Sequence, residues 1–101
     1  MILPFRDPSN YSQVMRTIRR LWESGTVVPH LHAVKAMERT GLTMQDVGAV
    51  ILGGSIIEHN KPRSQWRWKI QGGCVDGHTA SCVVGIEIDG NLLIITVIDE
   101  G

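Results

Sequence analysis

The spacing of apolar residues changes half-way along this chain, at the glycine pair Gly53-Gly54. Before the pair, apolar residues recur every three or four positions, which is the period of an amphipathic helix. After the pair they alternate with polar residues, which is the period of a half-buried strand. The sequence therefore predicts an α+β fold in which N-terminal helices pack on an antiparallel sheet of about four strands.

Capping signals in the first half predict three helices, over residues 7–25, 30–40 and 43–53. Asp7 can cap the first helix, because Pro8 then occupies a helical position where its missing N–H costs nothing. Gly41 is a stop for the second helix. Thr43 and Asp46 have the spacing of a capping box, which predicts the start of the third.

Alternation in the second half predicts four strands, over residues 55–59, 66–71, 80–88 and 92–98. In the second of these, Trp66 and Trp68 are predicted to face the core. The last strand is apolar on both faces, which is typical of a central strand. Asp89-Gly90 predicts a tight hairpin turn, since such turns need positive φ. The segment 26–28 can be read as a brief strand or as an extended connector.

Length and composition limit the classes of protein to consider. At 101 residues and 43% hydrophobic, residues 1–101 form one domain with a modest core, to which a dimer or another partner could add stability. Ten basic and ten acidic residues cancel, which argues against the strong positive field of many nucleic-acid binders. With no signal-peptide pattern and no long apolar run, we expect a soluble, cytoplasmic domain without a membrane partner.

Three residues of the second helix form a polar stripe. His32, Lys35 and Arg39 lie close together on one side when placed at 100° per residue. Such a line of cations can follow a phosphodiester backbone, and His32 can exchange a proton near neutral pH. The alternative is that this stripe is simply the solvated face of the helix.

Two further groups of cations are candidates. Arg67 and Lys69 project from the same face of a predicted strand, opposite the tryptophans. Arg16, Arg19 and Arg20 lie off the apolar stripe of the first helix. Either group could bind phosphate or a partner, and either could be a solvated face.

The cysteines and histidines give a weak metal signal. His30 with His32, and Cys74 with His78, are the closest pairs of ligand types, but neither has a second pair at zinc-site spacing. Cys82 falls on the apolar side of its strand and is expected to be a small core residue. The sequence therefore assigns no metal ligand and no nucleophilic cysteine.

The order of several short motifs resembles an uncharacterised family of small bacterial domains that is related to the RelE/ParE-type toxins. The resemblance covers residues 16–98. Its motifs are His32-Ala33, Met37, Gly41-Leu42, Asp46-Val47, Gly54, Ile57-Glu58, Trp68-Lys69-Ile70, Gly73, Asp76-Gly77 and Ile95-Thr96-Val97.

The resemblance implies a RelE-like fold and a metal-independent endoribonuclease of a toxin–antitoxin pair. An antitoxin protein encoded nearby and RNA would be the partners, and no cofactor is implied. By position, His32 and Lys69 match residues that the resemblance implies are functional in the family. Thr96 matches the family's last motif, Ile95-Thr96-Val97. Where the family pattern leads us to expect arginines, this chain has Ala36 and Thr40.

The sequence and the resemblance together give one catalytic hypothesis and one alternative. The catalytic group would be His32, Arg67 and Lys69. RNA would be held by Lys35, Arg39 and Thr96. The alternative is a non-catalytic RelE-like domain that binds a protein partner through the outer face of its last strand or through its arginine-bearing first helix.

Overall fold

A computed structural model describes residues 7–101 as three α-helices packed on a five-stranded sheet. The elements, in chain order, are α1 (Tyr11–Ser24), β1 (Val27–Pro29), α2 (Leu31–Thr40), α3 (Met44–Gly53), β2 (Ser55–Asn60), β3 (Arg67–Gly73), β4 (Thr79–Ile86) and β5 (Leu92–Asp99). A short 3-10 turn, Pro62–Ser64, separates β2 from β3. The predicted α+β class is confirmed. No described helix has the length and apolar character needed to cross a membrane.

The sheet is mixed, with five strands in the order β1-β5-β4-β3-β2. Four strands form the antiparallel part, as predicted, but β1 pairs in parallel with β5. The prediction of a purely antiparallel sheet of about four strands is therefore wrong in one respect. The β1 segment joins the sheet because the Leu92 N–H donates to Thr26 O at 2.9 Å and the His30 N–H donates to Ile94 O at 2.8 Å. With β1 on one side and β4 on the other, β5 is an interior strand, as its apolar faces predict.

The β4–β5 connection is a hairpin, as predicted, but its loop has three residues rather than two. The Glu87 N–H donates to Asn91 O at 2.9 Å, and the Gly90 N–H donates to Glu87 O at 2.8 Å. Gly90 has φ +89°, the left-handed conformation that follows a turn in loops of this length. Ile88 consequently lies in the loop and is 82% exposed, although its place in the alternation predicted a strand residue.

Helix boundaries follow the capping signals, with one exception. The predicted N-cap Asp7 instead accepts hydrogen bonds from the Ser9 N–H and hydroxyl, in a turn that precedes the helix. Asn10 takes its place, and its side chain accepts from the Gln13 N–H at 3.3 Å. The stop at Gly41, with φ +79°, and the capping box of α3 are both confirmed.

The core lies between the helices and one face of the sheet. It includes Ile18 of α1, Ala33 of α2, Val50 of α3 and, on β3, Trp68 and Ile70. Trp68 is fully buried and its indole N–H donates to Pro8 O at 2.8 Å. The other predicted core tryptophan, at position 66, precedes the strand and is half-buried, but it packs against the same core.

Candidate functional site

Three of the predicted site residues lie together on the face of the sheet opposite the helices. Arg67 and Lys69 flank the buried Trp68 along β3, so their side chains point away from the core. Thr96 shares this face, because β4 residue Val83 pairs with both Lys69 and Thr96. We call the surface around these residues the open face.

The other three predicted site residues lie on the far side of the core. His32, Lys35 and Arg39 are exposed on the outer side of α2. Their helix buries Ala33 and Ala36 in the same core as the inward side of β3. The sheet and core therefore separate His32 from Arg67 and Lys69, and the predicted catalytic group is not brought together.

Charge on the open face is partly neutralised. Lys69 Nζ lies 3.7 Å from Glu100 Oε1. Arg67 Nε, in contrast, is buried without a hydrogen-bond partner among the described residues. A cavity of about 40 Å³ beside it is lined also by Glu58, Lys69 and Val83. Arg67 Nε can therefore donate to an acceptor atom of about the size of a water molecule that enters this cavity.

A larger site is the groove between α1 and the edge strand β2. It has a volume of about 540 Å³ and is lined by Tyr11, Ser12, Met15, Arg16, Arg19, Gly54, Ser55 and Ile56. Among these lining residues none carries a carboxylate, and two carry guanidinium groups. We call this surface the α1–β2 groove.

The two arginines of the α1–β2 groove have different roles. Arg19 donates through Nε to Ile51 O at 3.1 Å and through Nη2 to Gly54 O at 2.9 Å. It thus ties α1 to the C-terminal end of α3, where a cation is favourable. Arg16 is exposed and makes no hydrogen bond or ion pair with any residue in the described part of the chain. Its charge is available to a ligand.

The third feature is a cluster of ionisable side chains at the β3–β4 hairpin. Cys74 Sγ lies 3.7 Å from His78 Nε2, and His78 Nδ1 is hydrogen-bonded to the Asp76 carboxylate. Asp99, at the end of β5, places Oδ1 3.6 Å from His78 Nε2. We call these four residues the hairpin cluster. Among the described residues it contains the one group of three potential ligands close enough to hold a metal ion, namely Cys74, Asp76 and His78.

Neither cysteine is activated as a nucleophile. Burial and the nearby carboxylates of Asp46, Asp76 and Asp99 raise the pKa of the Cys74 thiol. Burial alone raises the pKa of Cys82 to about 12. Because the thiolate is the reactive form, these environments disfavour covalent catalysis by either residue.

Comparison with known proteins identifies the family. Residues 30–99 match the model of the family described as "Domain of unknown function (DUF4258)". The chain belongs to this family. Neither a curated protein nor a solved structure matches the chain. In this DUF4258 domain the matched region contains the open face and the whole hairpin cluster, whereas α1, which forms one wall of the α1–β2 groove, precedes it.

Sequence reasoning considered Cys74 with His78 but assigned no site there, and it did not predict the α1–β2 groove. The hairpin cluster had a signal, because the glycine turn after Asp76 predicts a short loop that brings Cys74 and His78 together. The contribution of Asp99 depends on the register of β4 with β5, which the predicted hairpin at Asp89-Gly90 did not fix. The α1–β2 groove likewise depends on how a helix packs beside a sheet edge, which no local pattern records.

Proposed function

We propose that this DUF4258 domain is a protein-binding module that holds an acidic, extended segment of its partner in the α1–β2 groove. The observation that carries the proposal is the groove itself, which is large, open to solvent and lined by two guanidinium groups without a carboxylate. The separation of His32 from the strand cations favours this non-catalytic function over the ribonuclease.

The shape of the groove is suited to an extended chain. β2 is an edge strand, so part of its backbone N–H and C=O groups points away from β3 and is free to pair. The register shift between Ile56 and Glu58 interrupts the regular edge. Backbone pairing with a partner is therefore limited to the first residues of β2. Arg16 would bind an acidic side chain of the partner.

Chemical-shift changes in a titration with a synthetic peptide of alternating Glu and Val test this function. We expect changes along α1 and at Ser55 and Ile56, weakening with added salt because exposed charges are screened. Arg16→Glu should weaken binding by roughly tenfold, which corresponds to about 1.4 kcal/mol. Arg20→Glu is the matched control, since Arg20 is an exposed arginine of the same helix outside the groove.

Two results would contradict the binding function. One is a set of shift changes confined to the open face. The other is an equal loss of affinity in the Arg16 and Arg20 variants, because net charge rather than the groove would then explain binding.

Arg67 Nε has no hydrogen-bond partner in the described part of the chain, and this favours a second candidate, a metal-independent endoribonuclease of the RelE/ParE toxin type that acts on the open face. A phosphate oxygen would give this buried donor an acceptor, and Lys69 would add positive charge. A neighbouring antitoxin would then be the protein partner. Because His32 lies on the other side of the core, it takes no part in this version of the mechanism.

RNA cleavage in EDTA distinguishes the candidates. Under the ribonuclease proposal Arg67→Ala should reduce cleavage by roughly 10²-fold or more, as expected for loss of a group that stabilises developing charge. His32→Ala should leave it unchanged. Wild-type protein that binds the acidic peptide but neither cuts RNA nor arrests growth on expression would leave the binding module as the function.

A further inference from the structure

We propose that the hairpin cluster is a binding site for a divalent transition-metal ion such as Zn²⁺. Cys74 Sγ and His78 Nε2 are two ligands already close together, and the carboxylate of Asp99, which lies near His78 Nε2, becomes the third by turning toward Cys74. Asp76 holds the imidazole ring in position, and water completes the coordination. This inference is independent of the α1–β2 groove and of the open face.

Two distances within the cluster, both measured from His78 Nε2, agree with the spacing of ligand atoms around a tetrahedral ion. With Zn–S at about 2.3 Å and Zn–N at about 2.0 Å, the sulfur and nitrogen ligands are separated by about 3.5 Å. Cys74 Sγ and His78 Nε2 are 3.7 Å apart. A nitrogen and a carboxylate oxygen would be separated by about 3.4 Å. His78 Nε2 and Asp99 Oδ1 are 3.6 Å apart.

The second nitrogen of His78 is already held as it is in many metal sites. Asp76 Oδ1 accepts hydrogen bonds from the His78 ring at Nδ1 and from its backbone N–H, the latter at 3.2 Å. A carboxylate can only accept, so in the neutral ring Nδ1 carries the hydrogen and Nε2 has the lone pair that a metal needs. A carboxylate behind a histidine fixes the tautomer and orients the ring toward the metal.

The backbone of the loop brings the ligands together before any ion arrives. The Cys74 N–H donates to His78 O at 2.8 Å, and the Gly77 N–H donates to Cys74 O at 2.9 Å. Gly77 has φ +95°, which closes the three-residue loop as Gly90 does in the other hairpin. Pairing of Ala80 with Asp99 brings the end of β5 beside the loop. The two ligands on the loop therefore need little reorganisation, and the Asp99 side chain must turn toward Cys74 to join them.

The donor set decides which ions fit. The incoming ion displaces the proton of the Cys74 thiol. The resulting thiolate and the imidazole favour Zn²⁺, Co²⁺ or a similar transition-metal ion over Mg²⁺ and Ca²⁺, which prefer oxygen ligands. Two carboxylates surround these donors and attract a cation. Binding would join the β3–β4 hairpin to the end of β5 and would stabilise the folded state, because the unfolded chain lacks the preformed site.

Titration of the reduced, full-length chain with Co²⁺ tests the proposal. We expect one ion per chain, visible absorption bands of tetrahedral cobalt and a thiolate-to-cobalt charge-transfer band, all lost on addition of Zn²⁺. The melting temperature should rise when either metal is added. Cys74→Ser should remove the charge-transfer band, and His78→Gln should weaken binding.

Matched variants separate the ligands from the residues around them. Cys82→Ala is the control, because this buried thiol lies on β4 and its variant should keep the complete cobalt spectrum. Asp99→Asn should weaken binding and change the visible bands. Asp76→Asn should lower the metal affinity by roughly 10- to 100-fold with little change in the cobalt absorption bands, because Asp76 orients the His78 ligand and does not bind the ion itself.

Three results would overturn the site. They are the absence of cobalt bands at stoichiometric metal, a charge-transfer band that persists in a folded Cys74→Ser protein, and a band that disappears in Cys82→Ala. Circular dichroism of each variant establishes that it is folded. An unchanged affinity in Asp99→Asn would remove that residue from the ligand set and overturn the three-ligand assignment.

Discussion

The neighbouring glycines Gly53 and Gly54 should respond in opposite directions to substitution by alanine. A Cβ on Gly54 would lie 2.4 Å from Gln71 O and 2.5 Å from Val50 O, both backbone atoms that cannot turn aside. A Cβ on Gly53 would have no atom within 4 Å. Gly54 has φ −94°, a backbone conformation that alanine adopts without strain, so the change in stability depends only on the contacts of the new Cβ.

The magnitude of each effect follows from these contacts. Relief of the overlap at Gly54 requires α3 and β3 to move apart by about 1 Å, and overpacking of this kind costs about 1–3 kcal/mol. The movement also strains the hydrogen bonds from Gly54 N–H to Val50 O and from Arg19 to Gly54 O, each worth about 1 kcal/mol. Alanine also makes the unfolded chain less flexible, which stabilises the domain by about 0.5 kcal/mol. The net effect of Gly54→Ala should be a free energy of unfolding about 2–3 kcal/mol lower than that of the wild type. Gly53→Ala should raise the free energy of unfolding by about 0.5–1 kcal/mol, because alanine favours the helix and makes the unfolded chain less flexible.

Thermal unfolding followed by circular dichroism measures both effects. At about 4 °C per kcal/mol for a domain of this size, Gly54→Ala should melt about 10 °C below the wild type and Gly53→Ala about 2–4 °C above it. Gly72→Ala is a second test of the same contact, since its Cβ would meet Gly54 Cα at 2.8 Å. Equal melting temperatures for the Gly53 and Gly54 variants would refute the direct packing of α3 on β3.

Three further predictions concern the turn, the helix cap and the buried thiol. Gly90→Val should lower the free energy of unfolding by about 1–3 kcal/mol, because a β-branched residue is strained at φ +89°. Gly90→Asn should lower it much less, because asparagine tolerates positive φ. Equal losses of stability in urea unfolding would show that backbone conformation is not the cause. Hydrogen bonds from the Thr43 and Val75 N–H groups lower the pKa of Asp46, so its contribution to stability is present above its unfolded pKa and is lost as the pH falls through the folded value. Asp46→Asn should therefore destabilise the domain at neutral pH and progressively less below about pH 4; a deficit that is constant with pH would argue against this. Cys82 should react with iodoacetamide only as fast as the domain unfolds, because its thiol is 1% exposed and its pKa is raised to about 12, and labelling that is independent of added denaturant would contradict its burial.

The sequence by itself determined the features that depend on neighbouring residues. The capping box at Thr43 and the stop at Gly41 act within one turn of helix, so short motifs are sufficient to predict them. Alternation along β3 was sufficient to assign Trp68 to the core and Arg67 to the opposite face, because side chains of a strand change sides at every residue. The exception was the start of α1, where Asp7 and Asn10 both had the chemistry of a cap.

Tertiary structure alone decided which of these faces meet. The parallel pairing of β1 with β5 made the sheet mixed, and it involves residues about 65 positions apart for which no local pattern specifies a partner. The side of the sheet that α2 covers was decided in the same way. That choice separates His32 from Lys69, although each lies on the local face that the sequence predicted. The register of β4 with β5 likewise brings Asp99 to His78, because side chains distant in sequence become neighbours only when the strands that carry them pair.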